Sequence, residues 1–185
     1  MTTDANRRVL IDVAKQAIRH GLETGEPLRV DPTGYHDELQ VPAATFVTLQ
    51  TGGRLRGCIG HLGAHRPLVE DVAENAFAAA FRDPRFPPLT EAEWPELDLH
   101  ISVLTPPERL EVRTEQELLD ALNPGRDGLI IEDGGLRATF LPSVWESLPN
   151  KAEFLRHLKQ KAGLADDYWS PTMAAFRYET ESFED

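Results

Sequence analysis

The stretch Ala44-Thr45-Phe46-Val47-Thr48-Leu49-Gln50-Thr51-Gly52-Gly53-Arg54-Leu55-Arg56-Gly57-Cys58-Ile59-Gly60 decides the fold class. Ala44 to Leu49 reads as a strand, and Thr51-Gly52-Gly53 reads as a hairpin turn because glycine supplies the positive φ such turns require. Arg54 to Ile59 is then the return strand. Two strands joined this way cannot bury their apolar face alone, so further sheet or a helix must pack against them.

Working outward, both flanks supply helices. Residues 7–22 place Val9, Leu10, Val13, Ala14, Ala17, Ile18 and Leu22 at helical spacing, with Gly21 and Gly25 as stop positions. Residues 26–42, with Pro27, Pro32, Gly34 and Pro42, read as irregular. After the hairpin, Pro67 opens a helix with a wide, alanine-rich apolar face from Leu68 to Phe81, and Pro84, Pro87 and Pro88 end it. Thr90 and Glu93 form a T-x-x-E capping pattern before a short turn, and Leu97–Leu104 alternates as a half-buried strand. Thr114 and Glu117 repeat the capping pattern before a helix at 115–122. Leu129–Glu132 and Leu136–Leu141 flank Asp133-Gly134-Gly135 as a second hairpin. Pro142–Leu148 forms a helical turn, Lys151–Ala162 a helix stopped by Gly163, and Met173–Phe183 one closing strand. Hairpins interleaved with helices predict an α+β fold with a mainly antiparallel sheet and flanking helices.

Composition bounds the function. The chain has 185 residues, which suits one domain or two small lobes sharing a core. Its 41% hydrophobic and 27% charged residues are ordinary for a globular protein. No run approaches the roughly 18 apolar residues of a membrane span, and the start of the chain leads into an amphipathic stretch rather than a secretory core. Lys and Arg number 19 against 31 Asp and Glu, a formal charge of −12 that repels phosphate backbones and argues against nucleic acid as a partner. One cysteine excludes an intrachain disulfide. A cytoplasmic protein with no membrane partner is the expectation.

Chemistry concentrates in two segments. In Leu55-Arg56-Gly57-Cys58-Ile59-Gly60, two glycines flank the single cysteine on a strand, which marks a bulge or a close approach by a ligand or another backbone. Arg56, two residues before Cys58, would share its sheet face and favour a thiolate. The alternative is a packed cysteine acting as a small hydrophobe. Cys58, His61 and His65 make C-x2-H-x3-H, part of a metal-ligand spacing or a nucleophile–base pair, but no carboxylate completes a set and no metal or cofactor is expected. In Arg82-Asp83-Pro84-Arg85-Phe86-Pro87-Pro88-Leu89, two arginines bracket a rigid Asp-Pro and could hold an anion or simply finish a helix. Glu70, Asp71 and Glu74 read as a solvated helix face, and Trp94, Trp145 and Trp169 as packing aromatics.

Taken together, these segments, with Pro67-Leu68 through Glu74-Asn75-Ala76, Ser102-Val103-Leu104-Thr105-Pro106, Asp127-Gly128-Leu129-Ile130-Ile131-Glu132 and Phe154-Leu155 through Lys161-Ala162-Gly163, resemble the AMMECR-type domain family, whose prokaryotic members are also called AmmeMemoRadiSam system protein A. The chain departs from relatives at Leu136–Leu141, where they often carry a Gly-Leu-Leu-Leu-Pro-like run. The resemblance implies a single α+β domain over 1–185 with two unequal lobes, the larger from both termini and the smaller from part of the central region, and a cleft between them. It implies that Cys58, Arg56, Asp83 and Arg85 approach that cleft, and that Memo-type and radical S-adenosylmethionine proteins are functional associates. It implies no particular reaction. Two functions follow as expectations. The first is a small-molecule enzyme in which Cys58 is nucleophile or proton donor, Arg56, Gly57, Gly60, Asp83 and Arg85 bind an anionic ligand, and Glu74 is a further acid–base candidate. The second is a non-catalytic binding or adaptor module in which Cys58 is packed.

Overall fold

The first helix begins where a side chain can accept its orphan N–H groups. Thr3 is extended and its hydroxyl accepts from the Asn6 N–H, so α1 runs Asp4–Thr24, three residues earlier than its apolar periodicity predicts. Gly25 ends it in the left-handed conformation, its N–H bonded to the Gly21 carbonyl. Gly21 is no stop: it is buried inside the helix, and a Cβ there would lie 2.3 Å from the Phe81 ring. The structure, a computed structural model, describes residues 2–185.

Two compact units make up the chain, one formed by the residues up to Leu104 together with Glu181–Asp185, the other by Thr105–Thr180. In the first unit the sequence 26–42, expected to be irregular, holds a 3-10 turn at Pro32–Gly34 and a short helix α2, Asp37–Gln40. Strands β1 (Ala44–Thr51) and β2 (Arg54–Gly60) form the hairpin, turning through Gly52 and Gly53 at φ 56° and 73°. Helix α3 (Leu68–Phe81) follows, then β3 (Leu97–Leu104). The sheet order is β2-β1-β3-β8, with β8 being Thr180–Glu184. Helix α3 lies on β1 and β2, and α1 packs on α3. Val47, Leu49, Leu99 and Ile101 from the sheet join Leu10, Ala14, Ala17, Val69, Val72 and Ala76 from these helices in one buried core. Each fully buried aliphatic side chain there contributes about 1.5–3 kcal/mol, and the alanines let α1 and α3 approach closely.

The second unit holds β4 (Glu108–Arg109), α4 (Glu115–Ala121), β5 (Gly128–Asp133), β6 (Leu136–Phe140), α5 (Lys151–Ala162) and β7 (Ala174–Tyr178). Its sheet order is β4-β7-β5-β6, and α5 packs on β5 and β6. Trp145 stacks on Phe154 at 3.7 Å between centroids and donates its Nε1–H to the Asp127 carbonyl. Asp133-Gly134-Gly135 is the expected hairpin turn, with both glycines at positive φ.

The fold is α+β and the strand pairs β1–β2, β1–β3, β4–β7, β5–β6 and β5–β7 are antiparallel, as expected. Two further expectations need correction. Met173–Phe183 is not one strand: β7 and β8 belong to different sheets, separated at Glu179, whose N–H bonds to Thr105 Oγ1. Asp71 is not on a solvated face. Its side chain is 1% exposed and its Oδ2 accepts from the Thr45 N–H, the Thr45 hydroxyl and Asn75 Nδ2, tying α3 to β1, while burial pushes the carboxyl above its ordinary range. The helix-face reading fails because α3 is covered on more than its apolar stripe.

Candidate functional site

The hairpin register positions the cysteine. Thr48 faces Cys58 and Leu49 faces Gly57, but Gln50 faces Leu55, so Arg56 is an extra residue and β2 bulges there. Gly57 is buried against α3, where a Cβ would sit 2.0 Å from the Ala79 carbonyl oxygen; a Cβ on Gly60 would sit 2.2 Å from the Thr45 carbonyl oxygen and 2.5 Å from the Phe46 ring. Both glycines thus admit the protein's own backbone. Ile59 packs on the core, so by strand alternation Cys58 points to the sheet face turned away from α3, and it is half-buried.

As the edge strand, β2 leaves outward backbone groups that no neighbouring strand completes. The loop after α3 completes them at Cys58. Asp83, cut off from the helix by Pro84, is buried and its Oδ2 accepts from the Cys58 N–H at 2.9 Å. The same carboxylate accepts from the Arg85 N–H and from Arg85 Nε and Nη2, and Nη2 also donates to the Cys58 carbonyl at 3.3 Å. Arg85, chiefly through its hydrogen bonds to Asp83, holds that carboxyl well below the usual carboxylate range. Asp83 raises the Arg85 guanidinium in return, with a lesser electrostatic contribution from Cys58. Thr48 Oγ1 donates to Cys58 Sγ at 3.1 Å.

Arg56 turns to a different partner. Its Nε lies 2.6 Å from Glu93 Oε1, its Nη2 donates to the Pro87 carbonyl and to Glu93 Oε2, and its Nη1 is buried without a hydrogen bond. Arg56 and Arg85 both lie over the Phe86 ring, at 5.8 and 5.6 Å from its centroid. Glu93 also accepts from the Thr90 N–H and hydroxyl, but the expected T-x-x-E cap is only half made: the 3-10 turn Trp94–Glu96 has Glu93 as its N-cap, and the Glu93 N–H bonds to the Thr90 carbonyl rather than to its hydroxyl. The Arg56 hydrogen bond lowers the Glu93 carboxyl to about 2. A depressed carboxylate stabilises the fold above its unfolded value and ceases to do so as pH falls through its folded value. The Arg56–Glu93 tie therefore persists to roughly pH 4.5 and weakens toward pH 2. Acid unfolding followed by Trp94 emission should show this loss in a Trp145→Phe/Trp169→Phe background and less of it in Glu93→Gln; identical acid limbs would contradict it.

Of the residues selected by sequence, the structure gathers Arg56, Gly57, Cys58, Gly60, Asp83 and Arg85 on β2 and the loop that braces it. It does not gather the others there. His61 lies 3.9 Å from Asp71 and 3.5 Å from Arg66, on the α3 side, while Cys58 points the other way. The His65 ring occupies the space beside Gly63. Among the described residues no group of three or more His, Cys, Asp or Glu converges on a metal position, so the C-x2-H-x3-H spacing has no matching geometry. Glu74 lies on α3, paired with Arg82 and lining a groove of about 950 Å³ with Glu70, Arg66 and Arg29. Sequence reasoning missed Thr48, which no spacing rule connects to Cys58 before the register is known, and the second role of Glu93, which it read only as a cap.

Similarity to known proteins extends along nearly the whole chain. A protein of Methanothermobacter thermautotrophicus is 37% identical over 184 residues, covering 96% of this chain and 93% of that one. Protein MK0488 of Methanopyrus kandleri is 38% identical, covering 95% and 86%. The crystal structure of uncharacterized protein PH0010 from Pyrococcus horikoshii superposes with a TM-score of 0.91 at 35% identity, over 100% of this chain and 93% of that one. The AMMECR1 family model matches residues 11–183, and the chain belongs to the AMMECR1 family.

Proposed function

We propose that this protein is a small-molecule enzyme in which Cys58 acts as a thiolate nucleophile. The observation that carries the reading is the bracing of Cys58: its N–H and C=O are both held by the Asp83–Arg85 pair, while Thr48 donates a hydrogen bond to its sulfur. A cysteine kept only for packing needs neither a fixed backbone nor a hydroxyl aimed at sulfur. The Arg85 side chain remains 55% exposed despite its pairing and is the group best placed to meet an anionic ligand; Arg56, at 11%, contributes from within its tie to Glu93. Asp83 orients Arg85, and Gly57 and Gly60 set the strand's approach rather than touching ligand. Glu74, on the helix side of the sheet, has no part in this reading. No cofactor enters it, and Memo-type and radical S-adenosylmethionine proteins stand as functional associates through the family resemblance.

A second reading, a non-catalytic binding or adaptor module, is favoured by one feature: both arginines are already matched by carboxylates, which offsets the charge they offer an anion. Iodoacetamide labelling of Cys58 in the folded protein separates the two. The enzyme reading expects labelling at neutral pH at least as fast as in the urea-unfolded chain. Silence until unfolding makes Cys58 a packed residue and leaves the binding reading.

A further inference from the structure

The face of the first unit's sheet that carries Cys58 can be followed strand by strand. Thr48 is the direct partner of Cys58 on β2 and of His100 on β3. Directly opposed residues project to the same face. His100 Nδ1 in turn lies 3.1 Å from Glu184 Oε2 on β8, the strand next to β3. One row therefore crosses all four strands: a thiol, a hydroxyl, an imidazole and a carboxylate. We propose that Thr48, His100 and Glu184 are parts of the same site as Cys58, with Thr48 holding the thiolate, and His100, oriented by Glu184, exchanging a proton with the ligand. This rests on the reading of Cys58 as the nucleophile.

The Thr48 hydroxyl donates to sulfur at 3.1 Å, and a donated hydrogen bond is worth most when the acceptor carries charge, so it favours the thiolate over the thiol. The Glu184 carboxylate beside Nδ1 selects the tautomer with the proton on that nitrogen and leaves Nε2 to accept or return a proton. Opposed Cα atoms in an antiparallel sheet lie about 5 Å apart, so Cys58 and His100 stand about 10 Å apart across Thr48. That span fits a small organic molecule lying over Thr48 and not a direct thiol–imidazole contact. The other groups on this face near the row are Phe46, Asp98 and the bonded Ser102–Ser182 pair, with Arg85 and Asp83 at the β2 edge. Among these the imidazole is the group whose second nitrogen is left open to the ligand by its contact with Glu184. The ligand class this describes is a small molecule with a conjugated, polarised double bond: as the Cys58 sulfur bonds to the attacked carbon, the π electron pair passes to the polar atom at the far end, which takes the proton carried by His100 Nε2.

The test needs no substrate. Iodoacetamide and iodoacetate both alkylate thiolates, one being neutral and the other anionic. Thr48→Val, which keeps the branched shape, should slow iodoacetamide labelling of the folded protein about five- to tenfold, the loss of roughly one hydrogen bond to sulfur. Thr48→Ser should restore it, and all forms should label alike in urea. At low salt the iodoacetate to iodoacetamide ratio should fall about threefold in His100→Gln, which removes a side chain able to carry positive charge beside the row. His20→Gln, on α1 behind the sheet, should leave the ratio as in the native protein. Native-like rates in Thr48→Val, or a native-like ratio in His100→Gln, overturn the row while Cys58 labelling itself still supports the nucleophile. A folded protein whose Cys58 never labels overturns both.

Discussion

Replacing Gly57 with alanine should cost the first unit about 3 kcal/mol, the upper range for forcing an extra carbon into a packed core. The new Cβ would lie 2.0 Å from the Ala79 carbonyl oxygen and 3.0 Å from its carbon, both backbone atoms that cannot rotate aside. Either β2 or α3 must shift, and β2 carries Cys58 one residue later. Hydrogen exchange of the β2 amides should therefore accelerate by roughly a hundredfold, the equivalent of that loss. Gly34 is the control, since a Cβ there meets nothing within 4 Å and its φ is not positive; Gly34→Ala should be close to neutral. Equal protection of β2 in Gly57→Ala and the native protein would mean that the strand does not sit on the helix as described.

The second large effect is expected at Asp83. Removing its buried carboxylate in Asp83→Ala strips partners from the Cys58 N–H and from the Arg85 N–H, Nε and Nη2 together. A loss of about 2–4 kcal/mol follows for a buried acceptor of several donors, moderated because Arg85 can turn to water. Asp83→Asn keeps one acceptor oxygen and should lose about half as much. The sign of the pH dependence follows from the direction of the shift. Arg85 depresses the Asp83 carboxyl, so its contribution is complete above the ordinary carboxylate range and is lost only as pH falls below that range. The advantage of the native protein over Asp83→Asn in urea unfolding should accordingly be constant from pH 8 to about pH 5 and shrink in stronger acid. If the advantage grows as pH falls, the carboxylate is not held as the geometry requires.

These two positions show how far the chain could be read unaided. Glycines beside a cysteine on a strand announce either a ligand or a crowding backbone, and the sequence offers no way to choose. Only the packing of α3 on β2 shows that the Gly57 space belongs to Ala79. Asp83-Pro84 announces a helix end, and α3 does end there, but that the freed carboxylate closes the edge of β2 depends on a contact 25 residues distant. The same holds for Arg56, which two-residue spacing places beside the thiol and which the bulge and Glu93 direct elsewhere.

What the sequence determined by itself was most of the local order: the β1–β2 and β5–β6 hairpins, the helices α1, α3, α4 and α5, the positive φ of Gly25, Gly52, Gly53 and Gly163, and the segments that mark the family. Those features depend on side-chain period, capping and backbone freedom, all set by neighbours within a few positions. The tertiary structure decided that the last strand is two strands in two sheets, that Asp71 is buried, and that Cys58, Thr48, His100 and Glu184 share one row. Such relations arise from strand register and from burial against distant elements, and neither leaves a trace in the spacing of residues along the chain.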